Sequence, residues 1–342
     1  MTTYLVTGGA GFIGSNIVRE LVRRGSRPRV LDNFATGRRE NLAGLAGAIE
    51  LIEGDVTCPD AARRATQGVD FVLHQAALPS VPRSVADPLA SHHANATGTL
   101  VLLAAAAENR VKRVVYAGSS SAYGDAPTLP KHEAMPPRPL SPYAAGKLAG
   151  EHYCKAFTAC FGLETVALRY FNVFGPRQNP ASQYAAVIPR FIACLLDGEQ
   201  PVIYGDGEQS RDFTYVSNVV EANLLACEAE GASGQVFNIA CGQRASLNTL
   251  LATLADILRT DANPRFEPAR PGDVKHSQAD ISRAHEVLGY RPRVSLKEGL
   301  RGAVSWCLAQ RQAPDRPRTA TGPSAAAIAE PARAPRAPTS CS

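Results

Sequence analysis

The 342-residue chain is long enough to bury a large core in one domain or in two modest ones. Its formal net charge of +5 is concentrated in a tail from Arg311 onward, where five arginines face only Asp315 and Glu330. The rest of the chain is close to neutral, which argues against a nucleic-acid-binding protein, and no apolar run is long enough to span a membrane.

The cysteines and the N-terminus indicate a cytoplasmic protein. Eight cysteines are scattered without a Cys-x-x-Cys pair or any other metal-binding spacing, which predicts reduced thiols and no metal site. A strand pattern begins almost at Met1 and leaves no room for a signal peptide.

The first predicted strand, over residues 4–7, runs into Gly8-Gly9-Ala10-Gly11-Phe12-Ile13-Gly14, and a helical pattern continues to residue 24. The glycines at 8, 11 and 14 permit a tight turn and a close approach of the backbone to a pyrophosphate. The free N–H groups of the helix N-terminus also favour phosphate. Because the glycines lie between a strand and a helix, the pattern predicts a dinucleotide-binding turn.

The second predicted strand, over residues 29–31, ends at Asp32, which is followed by Asn33. An acidic side chain about twenty residues beyond the glycines is placed to hold the ribose hydroxyls of a dinucleotide. Its charge would repel the additional phosphate of NADP, so the sequence predicts NAD. The third strand, over residues 49–53, leads to Asp55 and Val56, and Asp55 is expected to accept a hydrogen bond from the adenine amino group.

Two further strands, over residues 69–73 and 111–118, flank a long helix predicted over residues 88–109 that contains Asn95. Gln75-Ala76-Ala77 follows the first of these strands, where small side chains leave room for the cofactor. Ser119-Ser120-Ser121 follows the second. Strands that alternate with helices predict an α/β fold with a doubly wound parallel (Rossmann) sheet, whose ligands bind at the carboxyl ends of the strands.

The next predicted helix carries Tyr143 and Lys147. Ser141 is a good N-cap, and Pro142 suits the first helical position. Tyr143 and Lys147 are four residues apart and therefore lie on one face of the helix. An ammonium beside a phenol lowers the pKa of the phenol, so the pair is predicted to provide a base near neutral pH.

The glycine turn, the serines from Ser119 and the Tyr143–Lys147 pair together resemble the extended short-chain dehydrogenase/reductases, over nearly the whole chain to about Gln310. The second half is similar to the nucleotide-sugar members, above all the UDP-hexose 4-epimerases, in the segments at 168–177, 185–189, 205–207, 210–213 and 270–273. This resemblance implies an NAD-dependent enzyme that keeps its cofactor through the cycle and acts on a UDP-sugar. It also implies a homodimer, formed through helices that include the one carrying Tyr143.

The resemblance implies roles for individual residues. The catalytic group would be Ser119, Ser120, Tyr143 and Lys147. The cofactor would contact Gly8, Gly11, Phe12, Ile13, Gly14, Asp32, Asn33, Asp55, Val56, Gln75, Ala76, Ala77, Asn95, Tyr143, Lys147, Tyr170 and Val173. The substrate would contact Pro79, Ser119, Tyr143, Asn172, Ala186, Val187, Tyr204, Arg211, Arg270, Asp273 and Ser277.

Within the substrate set, the guanidinium groups of Arg211 and Arg270 can bind phosphate bidentately and, with Asn172, would hold the diphosphate. Asp273 would hold the uridine ribose, and backbone groups over residues 201–204 would bind uracil. Tyr143 would remove the proton of the sugar 4-hydroxyl while the C4 hydride passes to NAD, and Ser119 would hydrogen-bond the reacting oxygen. The 4-keto sugar would then rotate and be reduced on its other face.

Other functions are weighed on the same residues. The 4,6-dehydratases carry an Asp-Glu pair where this chain has Ser120 and Ser121, which cannot move protons near neutral pH. Decarboxylases of UDP-glucuronate carry a glutamate in this segment, so both functions are disfavoured. A UDP-glucuronate 4-epimerase remains open. A non-catalytic NAD-binding scaffold would not need the intact Ser119, Tyr143 and Lys147.

The expected sugar preference depends on Ser277. In members restricted to UDP-Glc and UDP-Gal, the matching position is a tyrosine beside the sugar C2, whereas members that accept N-acetylated sugars carry a small residue. The segments at 276–280 and 179–189 also resemble the N-acetylhexosamine epimerases. We therefore expect UDP-GlcNAc and UDP-GalNAc as substrates, with UDP-Glc and UDP-Gal admitted by the same larger pocket.

The predicted domain boundaries follow these assignments. Residues 1–172 form the NAD-binding domain, with a return segment near 213–230. Residues 173–310 form a smaller α/β substrate-binding lobe that includes a strand over 236–239. Residues 311–342 are rich in Ala, Pro and Arg, contain no aromatic side chain and are predicted to be disordered.

Overall fold

The computed structural model describes residues 2–179, 186–269 and 275–312. Its strands are β1 (Tyr4–Thr7), β2 (Arg29–Asp32), β3 (Glu50–Glu53), β4 (Phe71–His74), β5 (Arg113–Ser119), β6 (Glu164–Tyr170), β7 (Val173–Phe174), β8 (Val202–Tyr204), β9 (Ser210–Arg211), β10 (Thr214–Tyr215), β11 (Gln235–Ile239), β12 (Ala245–Ser246) and β13 (Arg265–Glu267). Seven of them form one parallel sheet in the order β11-β6-β5-β4-β1-β2-β3. Successive strands are added to one side of β1 as far as β3, and from β4 onward they are added to its other side. At such a switch point, a crevice opens at the carboxyl ends of the strands.

The helices are α1 (Phe12–Arg23), α2 (Pro59–Thr66), α3 (Val81–Ala86), α4 (Pro88–His92), α5 (Gly98–Glu108), α6 (Pro142–Phe161), α7 (Val187–Asp197), α8 (Val216–Glu228), α9 (Leu247–Leu258), α10 (Ser282–Leu288) and α11 (Leu296–Gln312). The long helix predicted over residues 88–109 is interrupted, because a π-helical turn over His93–Thr97 joins α4 to α5. Short 3-10 turns cover Arg39–Leu42 and Ser120–Tyr123. No helix in the described ranges is both long and apolar enough to cross a membrane.

Both faces of the sheet are buried. Leu5 and Val6 are neighbours on β1, yet each belongs to a different hydrophobic core, because successive side chains of a strand point to opposite faces. One core contains Ile17 of α1 and Val219 of α8, and the other contains Leu102 of α5. Burial on both faces accounts for the nearly continuous apolar runs of these strands. The predicted doubly wound parallel fold is confirmed.

A smaller lobe follows β6. Three short strand pairs, β7 with β10, β8 with β13 and β9 with β12, accompany α7, α9 and α11. Their apolar side chains form a separate core that includes Phe191, Ile203, Leu250 and Leu300. This lobe provides the second set of residues around the candidate site described below.

The division of the chain between the lobes differs from the predicted one. Residues 236–239 were expected in the smaller lobe, but β11 pairs with β6 at the edge of the central sheet. The reason is burial on both faces: Val236 enters one core of the sheet and Phe237 the other. The return into the first lobe therefore includes α8, β11 and α10, and is longer than residues 213–230.

The C-terminal helix extends into the segment predicted to be disordered. Arg311 and Gln312 were placed in the tail, but α11 continues to Gln312. Arg311 forms an ion pair with Asp197 at the end of α7, with Nη1 2.9 Å from Oδ1. The remainder of the predicted tail, residues 313–342, lies outside the described residues.

Candidate active site

The turn between β1 and α1 has no room for side chains. Gly8 has a φ of +66°, and a Cβ atom there would lie 2.7 Å from the backbone nitrogen of Ala76. A Cβ on Gly14 would lie 2.2 Å from the carbonyl oxygen of Gly8. Gly11 is the N-cap residue of α1 and has no side chain to occupy the first N–H groups of the helix. The turn is therefore shaped to bring bare backbone against a phosphate group.

This turn lines a cavity of about 310 Å³ at the carboxyl ends of β1, β2, β4 and β5. Most of the residues predicted to contact the cofactor line it, namely Gly8, Gly11, Phe12, Ile13, Gly14, Asp32, Asn33, Asp55, Val56, Gln75, Ala76, Ala77, Tyr143, Lys147 and Tyr170. We call it the first cavity. Pro79, which was predicted to contact the substrate, also lines the first cavity.

Asp32 is fixed at the end of β2 by the backbone. Its Oδ2 accepts a hydrogen bond from the Ala10 N–H at 2.8 Å, and its Oδ1 accepts one from the Phe34 N–H at 2.8 Å. Burial raises the pKa of the carboxyl group, and these two N–H donors oppose that rise. A carboxylate held in this way keeps its remaining lone pairs for hydroxyl donors, as ribose recognition requires.

Asp55 is held by its neighbours on the other side of the cavity. Asn33 donates to Asp55 Oδ2 at 2.7 Å, and the Thr57 hydroxyl donates to Oδ1 at 2.7 Å. Burial raises the pKa of Asp55, but the hydrogen bonds from Thr57 and Asn33 outweigh it and leave the pKa lowered. The group is therefore an ionised acceptor near the predicted adenine position.

Two predicted cofactor residues do not line the first cavity. Asn95 is buried in the π-helical turn, where its Oδ1 accepts from the Leu78 N–H at 2.8 Å and its Nδ2 donates to the Leu78 carbonyl at 3.1 Å. It therefore holds the loop after β4 in place and does not face the cavity. Val173 lies on β7, which pairs with β10 outside the central sheet, and it lines a second cavity described below.

The first cavity includes residues that the sequence did not single out, among them Leu31, Ala35, Thr36, Gly54, Thr57, Leu78, His93, Ala94, Ala117 and Gly118. Four of them, Leu31, Gly54, Ala117 and Gly118, lie at or next to a predicted strand end, and that position is the signal that could have identified them. Asn223 on α8 does not line the first cavity but contacts two residues that do. Its Nδ2 donates to the Tyr170 hydroxyl at 2.8 Å, and Gln75 donates to its Oδ1 at 3.0 Å. Asn223 thus orients two side chains of the cavity from beneath.

The predicted catalytic residues meet at the carboxyl end of β5. Ser119 ends that strand, and its Oγ accepts hydrogen bonds from the Ser121 hydroxyl at 2.8 Å and the Ser121 N–H at 3.2 Å. Ser120 begins the 3-10 turn that follows. Tyr143 lies in the first turn of α6, which Ser141 caps by accepting from the Ala144 N–H at 3.1 Å. The side chain of Ser119 acts on the Tyr143 phenol and lowers its pKa.

Lys147 is buried one turn after Tyr143. Its Nζ donates to the Ala117 carbonyl at 3.0 Å and lies 5.1 Å from the centre of the Tyr116 ring. Burial lowers the pKa of Lys147 to about 8, although the charge of Glu151 opposes this change. Glu151 is itself paired with Arg169, which is also buried, at 2.8 Å.

The pKa of Tyr143 differs from the prediction. Lys147 was expected to lower it, but burial raises it, and the side chain of Ser119 opposes the rise. The physical reason is that protein covers much of the half-buried Tyr143 and disfavours its charged form, while the ammonium of Lys147 is directed at the Ala117 carbonyl.

A second cavity, of about 280 Å³, lies between the end of β6 and the smaller lobe. Six predicted residues line it: Asn172, Val173, Ala186, Val187, Tyr204 and Arg211. Its other walls are largely apolar and include Phe191, Phe213 and Leu247. Tyr170 lines the first cavity and Asn172 the second, so the loop after β6 contributes to both.

Ser277 lies beside the second cavity and is not one of its lining residues. Its N–H donates to the Ser210 carbonyl at 3.0 Å, next to Arg211. Arg211 donates through Nη1 to the carbonyls of Ser210 and Lys275 at 3.0 and 3.1 Å. The remaining predicted substrate residues, Arg270 and Asp273, lie outside the described residues. Within the described part of the chain, no group of three or more His, Cys, Asp or Glu residues is arranged to hold a metal ion.

Comparison with known proteins agrees with this arrangement. Residues 4–240 match the NAD dependent epimerase/dehydratase family. A solved UDP-N-acetylglucosamine 4-epimerase from Methanobrevibacter ruminantium, in complex with UDP-N-acetylmuramic acid, is 43% identical with a TM-score of 0.87. The match covers 90% of this chain and 99% of that structure.

Two further relatives are similar over most of their lengths. The UDP-glucose 4-epimerase of Thermus thermophilus, solved in complex with NAD, is 36% identical with a TM-score of 0.81, covering 89% of this chain and 98% of that one. The UDP-glucose 4-epimerase of Mycolicibacterium smegmatis is 39% identical over 306 residues, which are 88% of this chain and 97% of the relative. The bare glycine turn and the anchored Asp32 fit NAD, and the chain is an NAD-dependent enzyme of the NAD dependent epimerase/dehydratase family.

Proposed function

We propose that this enzyme is a UDP-sugar 4-epimerase that interconverts UDP-GlcNAc and UDP-GalNAc and also accepts UDP-Glc and UDP-Gal. The observation that carries the proposal is the position of Tyr143 and Lys147 on the wall of the first cavity, beside Ser119 at the end of β5. The loop after β6 joins this cavity to the second, because Tyr170 lines the first and Asn172 lines the second. The first cavity fits a dinucleotide. The second cavity has the guanidinium of Arg211 and the amide of Asn172 beside largely apolar walls.

The chemistry at the sugar C4 is assigned to three side chains. Tyr143 accepts the proton of the 4-hydroxyl as the C4–H bond breaks, and returns a proton when the hydroxyl is re-formed. Ser119 and Ser120 lie at the end of β5, where we propose that Ser119 hydrogen-bonds the reacting oxygen beside Tyr143. NAD supplies, when bound, the acceptor and the donor of the C4 hydride.

Lys147 provides the positive charge of the site. With a pKa of about 8, its amine carries a proton at neutral pH although it is buried. It lines the first cavity one helical turn from Tyr143, and we propose that it binds the nicotinamide ribose of the cofactor. Burial of Tyr143 favours the protonated phenol, and the side chain of Ser119 opposes this effect.

The nucleotide portion of the substrate is assigned to the second cavity. Arg211 and Asn172 line it, and we propose that they bind the diphosphate together with Arg270. Ala186, Val187 and the backbone of β8 up to Tyr204 would enclose uracil, and Asp273 would bind the ribose. A guanidinium at the edge of an apolar, partly aromatic cavity suits a ligand that has a flat base at one end and phosphates beside it.

The sugar is expected to lie between Pro79, Tyr143 and Ser277. Ser277 adjoins Arg211 through the backbone hydrogen bond to Ser210, which supports a position near the sugar diphosphate. A serine there leaves the volume of a phenol ring free for an acetamido group. The 43% identity to a UDP-N-acetylglucosamine 4-epimerase supports the same preference.

We further propose a homodimer. Helices α5 and α6 lie side by side, and Ala104, Ala145 and Ala156 on them are exposed. Small side chains allow two such helix pairs to pack closely into a four-helix arrangement. Light scattering should report a dimer for the wild type and a monomer for Ala104→Arg. A monomeric wild type would rule this interface out.

We also propose a cytoplasmic location. All seven cysteines within the described residues are free thiols, and Cys154 and Cys227 are buried. Reduced thiols persist in the cytoplasm and are rare in secreted proteins. Fractionation of the native host cells should recover the protein with cytoplasmic markers, and recovery in a secreted or periplasmic fraction would contradict the proposal.

The experiment that tests the function is a substrate panel without added cofactor. The purified protein is incubated with UDP-GlcNAc, UDP-Glc or UDP-glucuronate, and products are separated by chromatography. We expect 4-epimers from the first two sugars and none from UDP-glucuronate. Conversion of UDP-glucuronate alone would indicate a UDP-glucuronate 4-epimerase, and no conversion by protein that contains bound NAD would favour a non-catalytic scaffold.

A further inference from the structure

A third cleft, of about 430 Å³, lies among α1, α8, the turn after β7 and the chain before α11. It shares no lining residue with the first or second cavity. Its charged lining consists of two glutamates, Glu20 and Glu221, and six arginines, Arg19, Arg23, Arg24, Arg177, Arg291 and Arg293. We call it the arginine cleft. Nothing in the proposed epimerase reaction uses these side chains.

The two glutamates neutralise only part of this charge. Glu20 pairs with Arg23 and with Arg24, each at 2.7 Å, and Glu221 pairs with Arg24 at 2.7 Å. In residues 2–179, 186–269 and 275–312, no carboxylate pairs with the other four arginines, Arg19, Arg177, Arg291 and Arg293. The cleft therefore has a strong positive excess in a protein whose body is otherwise close to neutral.

Two of these cations are partly removed from water. The Nε atoms of Arg19 and Arg177 are buried and have no hydrogen-bond partner among the described residues. Burial lowers the pKa of Arg177 to about 10, and the neighbouring charge of Arg19 acts in the same direction. A buried cation that faces another cation is unfavourable unless an anion compensates for it.

The guanidinium of Arg177 is held in position. Its Nη2 donates to Asn16 Oδ1 on α1, while Asn16 Nδ2 donates to the Pro176 carbonyl at 3.1 Å. The backbone of Arg177 has a φ of +71°, in the left-handed region that favours glycine. The bond to Asn16 fixes the direction of the Arg177 side chain relative to α1.

We propose that the arginine cleft binds a small polyphosphate anion, of the diphosphate or triphosphate type, separate from the cofactor and the substrate. Guanidinium groups form paired hydrogen bonds with phosphate oxygens, and the four arginines without carboxylate partners match the charge of a diphosphate. The arginines are gathered in one cleft and do not form an extended basic surface, so the cleft suits a small anion better than a nucleic acid.

The test is calorimetric titration of inorganic pyrophosphate into the NAD-loaded protein, with UDP at saturating concentration to occupy the substrate diphosphate site. The variant is Arg291→Gln/Arg293→Gln, because both side chains are exposed and their loss leaves the fold intact. The matched control is Arg64→Gln/Arg110→Gln, which removes two exposed arginines near α2 and α5, on the opposite face of the sheet.

We expect the wild type and the control to bind pyrophosphate with equal affinity, and this affinity to fall as salt concentration rises. The cleft variant should bind about tenfold or more weakly, since two charge-assisted contacts are lost. The proposal is overturned if the NAD-loaded, UDP-saturated wild type does not bind pyrophosphate, or if the cleft variant binds it as the control does. These outcomes do not depend on epimerase activity, so they are independent of the proposed function.

Discussion

The side chain of Ser119 acts on the phenol of Tyr143, although Ser119 ends a strand of the central sheet and Tyr143 lies in the first turn of a helix. The interaction is possible because β5 and α6 both present their residues at the carboxyl edge of the sheet. Burial raises the pKa of Tyr143, and the side chain of Ser119 opposes the rise. The serine therefore helps to set the proton affinity of the proposed base.

The proposed base can be tested by Tyr143→Phe. The change removes the hydroxyl that accepts the proton and leaves the ring that packs in the cavity. We expect turnover to fall by about two to four orders of magnitude, with NAD binding and thermal stability nearly unchanged. Steady-state rates and cofactor content of the purified variant provide the measurements.

Ser119→Ala is the matched control for that change, because it keeps the phenol and removes the hydroxyl that lowers its pKa. We expect partial activity. In the pH–rate profile, the pH at which the rate rises should move upward, since the pKa of Tyr143 should increase. Near-normal turnover by Tyr143→Phe would exclude Tyr143 as the base.

Cofactor choice is expected to depend on Asp32. The wild-type apoprotein should bind NAD in preference to NADP, because the carboxylate would face the additional phosphate. Asp32→Asn should reduce that preference. It should also lower the stability by about 1–3 kcal/mol, since an amide nitrogen would face the N–H groups of Ala10 or Phe34.

Asp55→Asn serves as the comparison for Asp32→Asn. It also replaces an acid of the first cavity, but at the predicted adenine position, so it should weaken both cofactors equally. Fluorescence titration with NAD and NADP measures each ratio. A wild-type preference for NADP would contradict the assignment of Asp32.

His74 should make the protein sensitive to acid. It is buried between the Thr7 and Thr99 hydroxyls, and burial, with the charge of Lys147, lowers its pKa to about 3. The unfolded chain binds a proton at this residue below about pH 6.5, whereas the folded chain does not until about pH 3. The stability contributed by neutral His74 is therefore complete above pH 6.5 and is lost progressively as pH falls.

The size of this effect should be at most about 1.4 kcal/mol per pH unit between those pKa values. Urea unfolding at pH 7 and pH 5 should show a smaller loss of stability in His74→Gln than in the wild type. His285→Gln, at an exposed position on α10, should lose as much stability between pH 7 and pH 5 as the wild type does. An equal loss of stability between pH 7 and pH 5 in the wild type and in His74→Gln would show that His74 does not cause the acid sensitivity.

Sugar selectivity is expected to change in Ser277→Tyr. A phenol ring at this position should overlap an acetamido group on the sugar, so activity on UDP-GlcNAc should fall at least about a hundredfold while activity on UDP-Glc remains. Ser277→Ala, which adds no volume, should keep both activities. Unchanged rates on UDP-GlcNAc in the tyrosine variant would remove Ser277 from the sugar pocket.

Local patterns were sufficient to predict much of the fold and of the first cavity. The glycine turn, Asp32 and the Tyr143–Lys147 pair are each defined by a few neighbouring residues at the end of a strand or the start of a helix. Because carboxyl ends of parallel strands converge, these local groups could be placed together before the structure was known. Asn95 and Val173 were the exceptions, since the side chain of Asn95 bonds to Leu78 and Val173 lines the second cavity.

Other features depend on contacts between distant segments. The place of β11 at the edge of the sheet requires burial on both faces, and that is not visible in a five-residue strand. Asn223 reaches Gln75 and Tyr170 only because α8 returns to the first lobe. The pKa of Tyr143 was assigned in the wrong direction for a similar reason: the neighbouring lysine is visible in the sequence, but the depth of burial is not.

The most direct measurement follows the hydrogen at the sugar C4. UDP-GlcNAc carrying deuterium at C4 is incubated with the purified enzyme in ordinary water, without added cofactor, and the product is examined by NMR and mass spectrometry. A 4-epimerase of the proposed kind should yield UDP-GalNAc that retains deuterium at C4, because the hydrogen leaves as hydride and returns within one active site. Absence of UDP-GalNAc, or UDP-GalNAc with solvent hydrogen at C4, would contradict the proposed function.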